Sequence, residues 1–162
     1  MKHPSAQITL LLQMLDEAFV QKAWHGPNLR GAIHGLSPQQ AGWRPSGLRH
    51  CIAEIVVHCA YWKYAGRRRL LGEKRGSFAI KGSNWFKLPP NLTAAEWKGY
   101  VALLDQEHGL LRQAVANLSP ARLNQVPKGS RITNLNLLYG LALHDTYHAG
   151  QIRLLKAMQK HL

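Results

Sequence analysis

The chain has 162 residues, of which 46% are hydrophobic; this is length and apolar content for one domain with a sizeable core, and it excludes a disordered polyelectrolyte. Lys and Arg total 21 against 8 Asp and Glu, a formal charge of +13, which favours polyanions or anionic substrates. Short apolar runs broken by charge exclude a membrane span, and Met1 to Leu15, without a strong basic leader or a small-residue cleavage site, is not read as a signal peptide.

The first helix is predicted from Ser5 to Trp24, with Ile8, Leu11, Leu12, Leu15 and Phe19 as its apolar stripe. Gly26-Pro27 ends it, because proline disfavours helical geometry in the residue before it. Asn28 then caps a turn through His34, and Ser37-Pro38 opens a further short helix as cap and first-turn proline. The second long helix spans His50 to Leu71, stops at Gly72, and sets Cys51, Ile55, His58 and Trp62 on one seam. Cys51 and Cys59 lie too far apart on a helix for a disulfide and are read as buried thiols of a reducing, cytoplasmic environment. The basic run Arg67-Arg68-Arg69 falls near this helix's C-terminus, where cations complement the macrodipole.

Glu73 to Asn91 is a long crossover segment, which Phe78, Trp85 and Phe86 should pin to the helices; segments of this length are functional or mobile. A capping box, Thr93 to Glu96, opens the third long helix, whose seam is Trp97, Val101, Leu104, His108, Leu111, Val115 and Leu118. Beyond the breaker-rich stretch from Pro127 to Ser130, the fourth runs from Asn134 to Lys160. Strand-like alternation and internal repeats are absent. The expected fold is therefore all-α, a four-helix bundle with irregular crossover loops as one domain over residues 1–162, with Trp97, Leu104, Leu111 and Leu155 in one core.

The chemistry concentrates in the fourth helix. Leu137, Leu141, His144, His148, Gln151 and Leu155 recur at spacings of four and three, so two imidazoles occupy consecutive turns of a seam. His58 is a third on the seam of the second helix. Three neutral imidazoles with open remaining positions suit zinc, nickel or ferrous iron and leave room for water or substrate; the alternative is three core histidines, each satisfied separately. Glu54, one turn before His58, either orients a ligand imidazole, takes a coordination place or is a plain surface carboxylate. Gln151 either contacts a metal-bound water or serves helix packing, His108 is a further histidine on the seam of the third long helix, and His25 and His50 flank helix ends. Asp145 and Tyr147 project away from the His144/His148 stripe. No nucleic-acid-binding signature accompanies the basic charge, so a nucleic-acid partner is not favoured.

Three stretches carry a resemblance: Ala23-Trp24-His25-Gly26-Pro27-Asn28-Leu29; Ile52-Ala53-Glu54-Ile55-Val56-Val57-His58 with Ala60-Tyr61-Trp62-Lys63; and His144-Asp145-Thr146-Tyr147-His148-Ala149-Gly150-Gln151-Ile152. In this order the chain resembles the DinB-like superfamily, the DinB/YfiT-like metalloenzymes. The resemblance implies an up-down-down-up four-helix bundle, a homodimer, and a divalent metal on His58, His144 and His148; His108 lies outside that ligand set, which leaves it a packing or supporting role. It also implies an enzyme with a small-molecule substrate, in the first place a thiol-dependent S-transferase using a low-molecular-weight thiol, in the second a metal-dependent hydrolase. The family name refers to DNA-damage-inducible, stress-related expression. The competing class is a basic nucleic-acid-binding or stress-related protein without catalysis. Tyr61, Tyr64, Trp85 and Tyr139, lying beyond the seams, are a further reason to expect a dimer.

Overall fold

The computed structural model describes residues 5–45 and 50–159. Among them are six α-helices and no strand: α1 (Ala6–Phe19), α2 (Leu29–Ile33), α3 (Pro38–Gly42), α4 (Ile52–Leu71), α5 (Ala94–Ala116) and α6 (Asn134–Gln159). Local chemistry sets the boundaries. Ser5 accepts from Ile8 N at the start of α1 and Asn28 from Gly31 N at the start of α2, while Ser37 with Gln40 and Thr93 with Glu96 form reciprocal capping boxes. Gly72 ends α4 at φ 74°, a left-handed conformation that glycine adopts without steric penalty. The expected extension of α1 to Trp24 does not occur. It ends at Phe19, and the Asn28 amide that caps α2 also donates to Gln21 O at 2.8 Å, holding residues 20–28 as a turn. Lys160, the expected end of α6, lies outside the described residues.

The four long helices close a ring in which α4 packs on α5 and α6, and α1 packs on the same two. Two apolar clusters fill it. One joins Phe19, residues of the first half of α4, Trp97, Leu104, Ile152 and Leu155; the other joins Ile8, Leu11 and Leu15, Leu70, Leu111 and Val115, and Leu137, Leu138, Leu141 and Ala142. Their membership fixes the directions: α1 and α6 run from the second cluster to the first, α4 and α5 from the first to the second. The order is up-down-down-up. Leu111 thus does not share a core with Trp97, Leu104 and Leu155.

A layer of buried polar side chains separates the clusters, and every long helix contributes to it: Asp16, Lys63, Glu107, His108 and Asp145 are all below 7% exposed. Burying a Leu or Ile side chain fully contributes roughly 1.5–3 kcal/mol, so the two apolar clusters hold the helices and the layer has to be accommodated between them. At Gly66 the helices α4 and α6 approach so closely that a Cβ would stand 2.5 Å from Leu141 Cδ1. This close approach brings His58 within reach of α6.

The crossover after α4 covers what the seams left open. Phe86 is buried, and Phe78 and Trp85 pack against the first cluster. Tyr61, Tyr64 and Phe78 meet ring to ring, and Tyr64 is only 3% exposed. Of the four aromatics expected to need a dimer to cover them, Tyr64 is therefore buried by the chain itself, Tyr61 and Trp85 are half-buried, and Tyr139 stays exposed. No helix is long and apolar enough to cross a membrane among the described residues, and Cys51 and Cys59 are buried free thiols.

Candidate metal centre

His58 on α4 and His144 and His148 on α6 come together, all three offering a ring nitrogen within 4.8 Å of the others. His144 Nε2 stands 3.0 Å from His58 Nε2 and 3.2 Å from His148 Nε2. Nitrogens each about 2.0–2.1 Å from one ion stand about 2.9–3.4 Å apart for bond angles between roughly 90° and 109°. The separations fall in that interval.

The outward nitrogens decide what the inward ones offer. His58 Nδ1 lies 2.8 Å from the main-chain oxygen of Asn84, and His148 Nδ1 lies 2.9 Å from Gln151 Oε1. A carbonyl oxygen only accepts, so each Nδ1 carries the proton and each Nε2 presents a bare lone pair. His144 can supply at most one N–H between them when neutral. Three nitrogens thus converge on a point with at most one donor, an arrangement that could hold a cation. Burial pushes His58 down to about 4 and His144 to about 3, with the neighbouring imidazoles adding to both effects, and burial lowers His148 as well. All three rings are neutral at pH 7, the state in which imidazole binds a metal.

The crossover segment closes one side of the cluster. Asn84 is the only non-glycine residue at positive φ, 62°, among the described residues. Its carbonyl accepts from His58, and its side-chain oxygen accepts from Trp62 Nε1 at 3.0 Å. Trp85 then stacks on His58 with ring centroids 3.8 Å apart and on His50 with its other face at 3.7 Å. Sequence reasoning missed Asn84 and Trp85 as parts of the site. The available signal was an asparagine, the residue after glycine that best tolerates the left-handed region, within a Gly-Ser-Asn stretch.

The remaining expected residues separate cleanly. Gln151 sits where it fixes the His148 ring. Glu54 is buried but committed elsewhere: Arg44 donates to both its oxygens, Leu88 N donates to it, and His50 Nδ1 lies 3.3 Å away. It reaches none of the three imidazoles and pins the crossover segment to α4. His108 lies in the polar layer, with Nε2 3.6 Å from Asp16 Oδ1 and its ring stacked on Phe19. His25 is exposed, and Tyr147 is 69% exposed. Asp145 does lie off the histidine stripe, yet it points inward, 1% exposed, and accepts from the equally buried Lys63. Cys59, His144 and Asp145 form a second close group, but burial pushes the Cys59 thiol well up and Lys63 already occupies the carboxylate.

Residues 21–152 match the family described as the DinB superfamily. No curated protein and no solved structure matches the chain.

Proposed function

This chain belongs to the DinB superfamily, and from that premise we propose that it is a divalent-metal-dependent enzyme acting on a small molecule, with transfer from a low-molecular-weight thiol as its reaction. The observation that carries the reading is the convergence of three Nε2 lone pairs whose Nδ1 partners are already fixed. His58, His144 and His148 would hold the ion, zinc, nickel or iron(II) by donor type. Held there, it supplies Lewis acidity that lowers the pKa of a thiol or water, so that the anion exists at neutral pH.

The chain's own residues keep the donor nitrogens bare, orient the rings through Asn84 and Gln151, and place Trp62 and Trp85 beside them to limit water. The carboxylates nearest in sequence, Glu54 and Asp145, are bound to Arg44 and Lys63. With neither free as a general base, a thiol, which ionises more readily than water, is favoured over hydrolysis as the nucleophile. The balanced step is R–SH + R′–X → R–S–R′ + H–X: the C–S bond forms, the C–X bond breaks, X leaves with the electron pair and takes up the thiol proton. A homodimer belongs to the proposal through the outer face of α6, where Leu143, Tyr147 and Leu154 are more than half exposed.

Protein purified without a histidine tag should contain close to one divalent ion per chain, show a two-chain mass by light scattering, and consume thiol when offered an alkyl halide. His148→Ala should fold, lose the ion and lose turnover. Metal content unchanged in that variant would sink the site; thiol-independent release of X would favour the hydrolase; a single-chain mass at micromolar concentration would set the dimer aside.

A further inference from the structure

A recess between α4 and the crossover segment takes no part in holding the imidazoles. Its volume is about 480 Å³, and its walls include Tyr61, Tyr64, Phe78, Arg68, Arg75 and Lys81. The floor is aromatic: the Phe78 ring stands 5.4 Å from both tyrosine rings. The rim is cationic, and no carboxylate lines it. Arg68 gives one hydrogen bond, to the main-chain oxygen of Glu73. Arg75 and Lys81 are exposed and have no ion pair among the described residues. Glu73, the one acidic residue between Gly72 and Leu92, is taken by Arg67 at 2.9 Å. Nothing in the segment neutralises the rim.

The recess is also preformed. Tyr64 Oη accepts from Gly76 N at 3.2 Å and Ser77 N at 3.3 Å, which ties the turn at its edge down onto α4. We propose that this recess is a binding site for a small organic anion with a flat or apolar body, a carboxylate or phosphate group meeting Arg68, Arg75 and Lys81 while the body lies on the half-buried rings of Tyr61 and Phe78, which the buried Tyr64 supports from beneath. The volume is that of a small-molecule site, aromatic faces receive planar groups, and charge-assisted bonds from guanidinium and ammonium select the anion. Ser83 of the same wall leads directly into Asn84, whose carbonyl orients His58. Under the proposed thiol chemistry this is where the acidic end of a thiol or an electrophile docks; that clause rests on the functional reading, whereas binding itself does not.

The probe is 2-naphthoate, titrated by fluorescence into wild type, the exposed-residue double variant Arg75→Gln/Lys81→Gln, and His148→Ala. The charged contacts predict that the double variant binds at least about tenfold more weakly, as does wild type toward the neutral isostere 2-naphthalenemethanol. Binding to His148→Ala should match wild type, so that failure of the metal reading leaves this site standing. Equal affinity for the neutral isostere, or for the double variant, overturns the proposal. So does inorganic phosphate binding as tightly as naphthoate, or single-stranded DNA binding that depends on Arg75 and Lys81 where naphthoate does not saturate.

Discussion

His58 and Lys63 stand five positions apart on α4, and Asp145 follows His144 directly on α6. Yet the two buried polar clusters they belong to are built on opposite principles. In the layer across the bundle, charges meet charges: Lys63 with Asp145, Arg112 with Asp16 at 2.8 Å, and Arg67 with Glu107 at 3.7 Å. At the imidazole cluster, three ring nitrogens converge with at most one N–H donor among them, and the nearest carboxylate, Asp145, is held by Lys63. A buried polar cluster that balances its own charge is a structural element; one that converges three acceptors on at most one donor is a group that could hold a cation. Burial alone does not tell the two apart, since Lys63, Asp145, His58 and His148 are all 5% exposed or less.

The largest expected effect breaks the first half of that comparison. Lys63→Ala leaves Asp145 charged and unpaired in the interior, which should destabilise the metal-free protein by about 3–5 kcal/mol. The double variant Lys63→Met/Asp145→Leu removes both charges and should recover most of that loss. His148→Ala removes a neutral ring and should cost much less. Urea denaturation of the three variants decides it. If Lys63→Ala is as mild as His148→Ala, the ion pair does not hold the layer together.

A smaller effect sharpens the second half. The metal-free imidazoles are held neutral by burial, His58 down to about 4 and His144 to about 3, and His108 in the layer is also down to about 3, with burial the main cause and Lys63 adding to it. In the unfolded chain histidine protonates near 6.5. Between about 6.5 and 4 the unfolded state therefore binds more protons than the folded one, and stability is lost as pH falls through that window. The slope is about 1.4 kcal/mol per pH unit for each histidine so held. His144→Gln should flatten it by one such increment. A denaturation midpoint that does not move between pH 7 and pH 5 would mean that the rings are not kept neutral.

How far the sequence discloses this depends on what kind of contact is involved. The His144/His148 pair was legible because helical spacing is a local property; spacing also put His58 and His108 on seams, and it was the family resemblance that joined His58 to the pair and left His108 out. The centre of the buried face of α6 was misjudged by one residue position. Leu138, Ala142, Asp145, Ala149 and Ile152 form its deepest stripe, all at or below 3% exposure, while His144 and Gln151 are half-buried on its flank. That displacement keeps the cluster accessible, and it turns Asp145 inward. Its partner Lys63 could not be paired with it from sequence, because the pairing requires knowing that α4 lies against α6. Arg44 to Glu54, Leu88 N to Glu54 and Asn84 to His58 are likewise contacts of irregular segments, where no periodicity operates. Helix caps, by contrast, are local, and Asn28, Ser37 and Thr93 form as read.

The smallest expected effect concerns Asn84, which joins the irregular segment to the cluster. Two of its properties are separable. Its carbonyl, which orients His58, survives any side-chain change provided the backbone stays at φ 62°. Its side chain bonds Trp62 and makes that conformation tolerable. Asn84→Gly keeps the conformation without a Cβ and gives up only the Trp62 bond, worth about 0.5–1.5 kcal/mol net. Asn84→Ala gives up the same bond and adds left-handed strain of about 1 kcal/mol. If the carbonyl is what matters, glycine should hold zinc almost as tightly as asparagine, while alanine, by relaxing the backbone and releasing His58 Nδ1, should weaken zinc by about tenfold, the lower end of what losing a bond that orients a ligand does. Competition with a chromogenic chelator reads both variants on one scale. Equal affinities for glycine and alanine would show that the His58 ring is held by its stack on Trp85 and not by the Asn84 carbonyl.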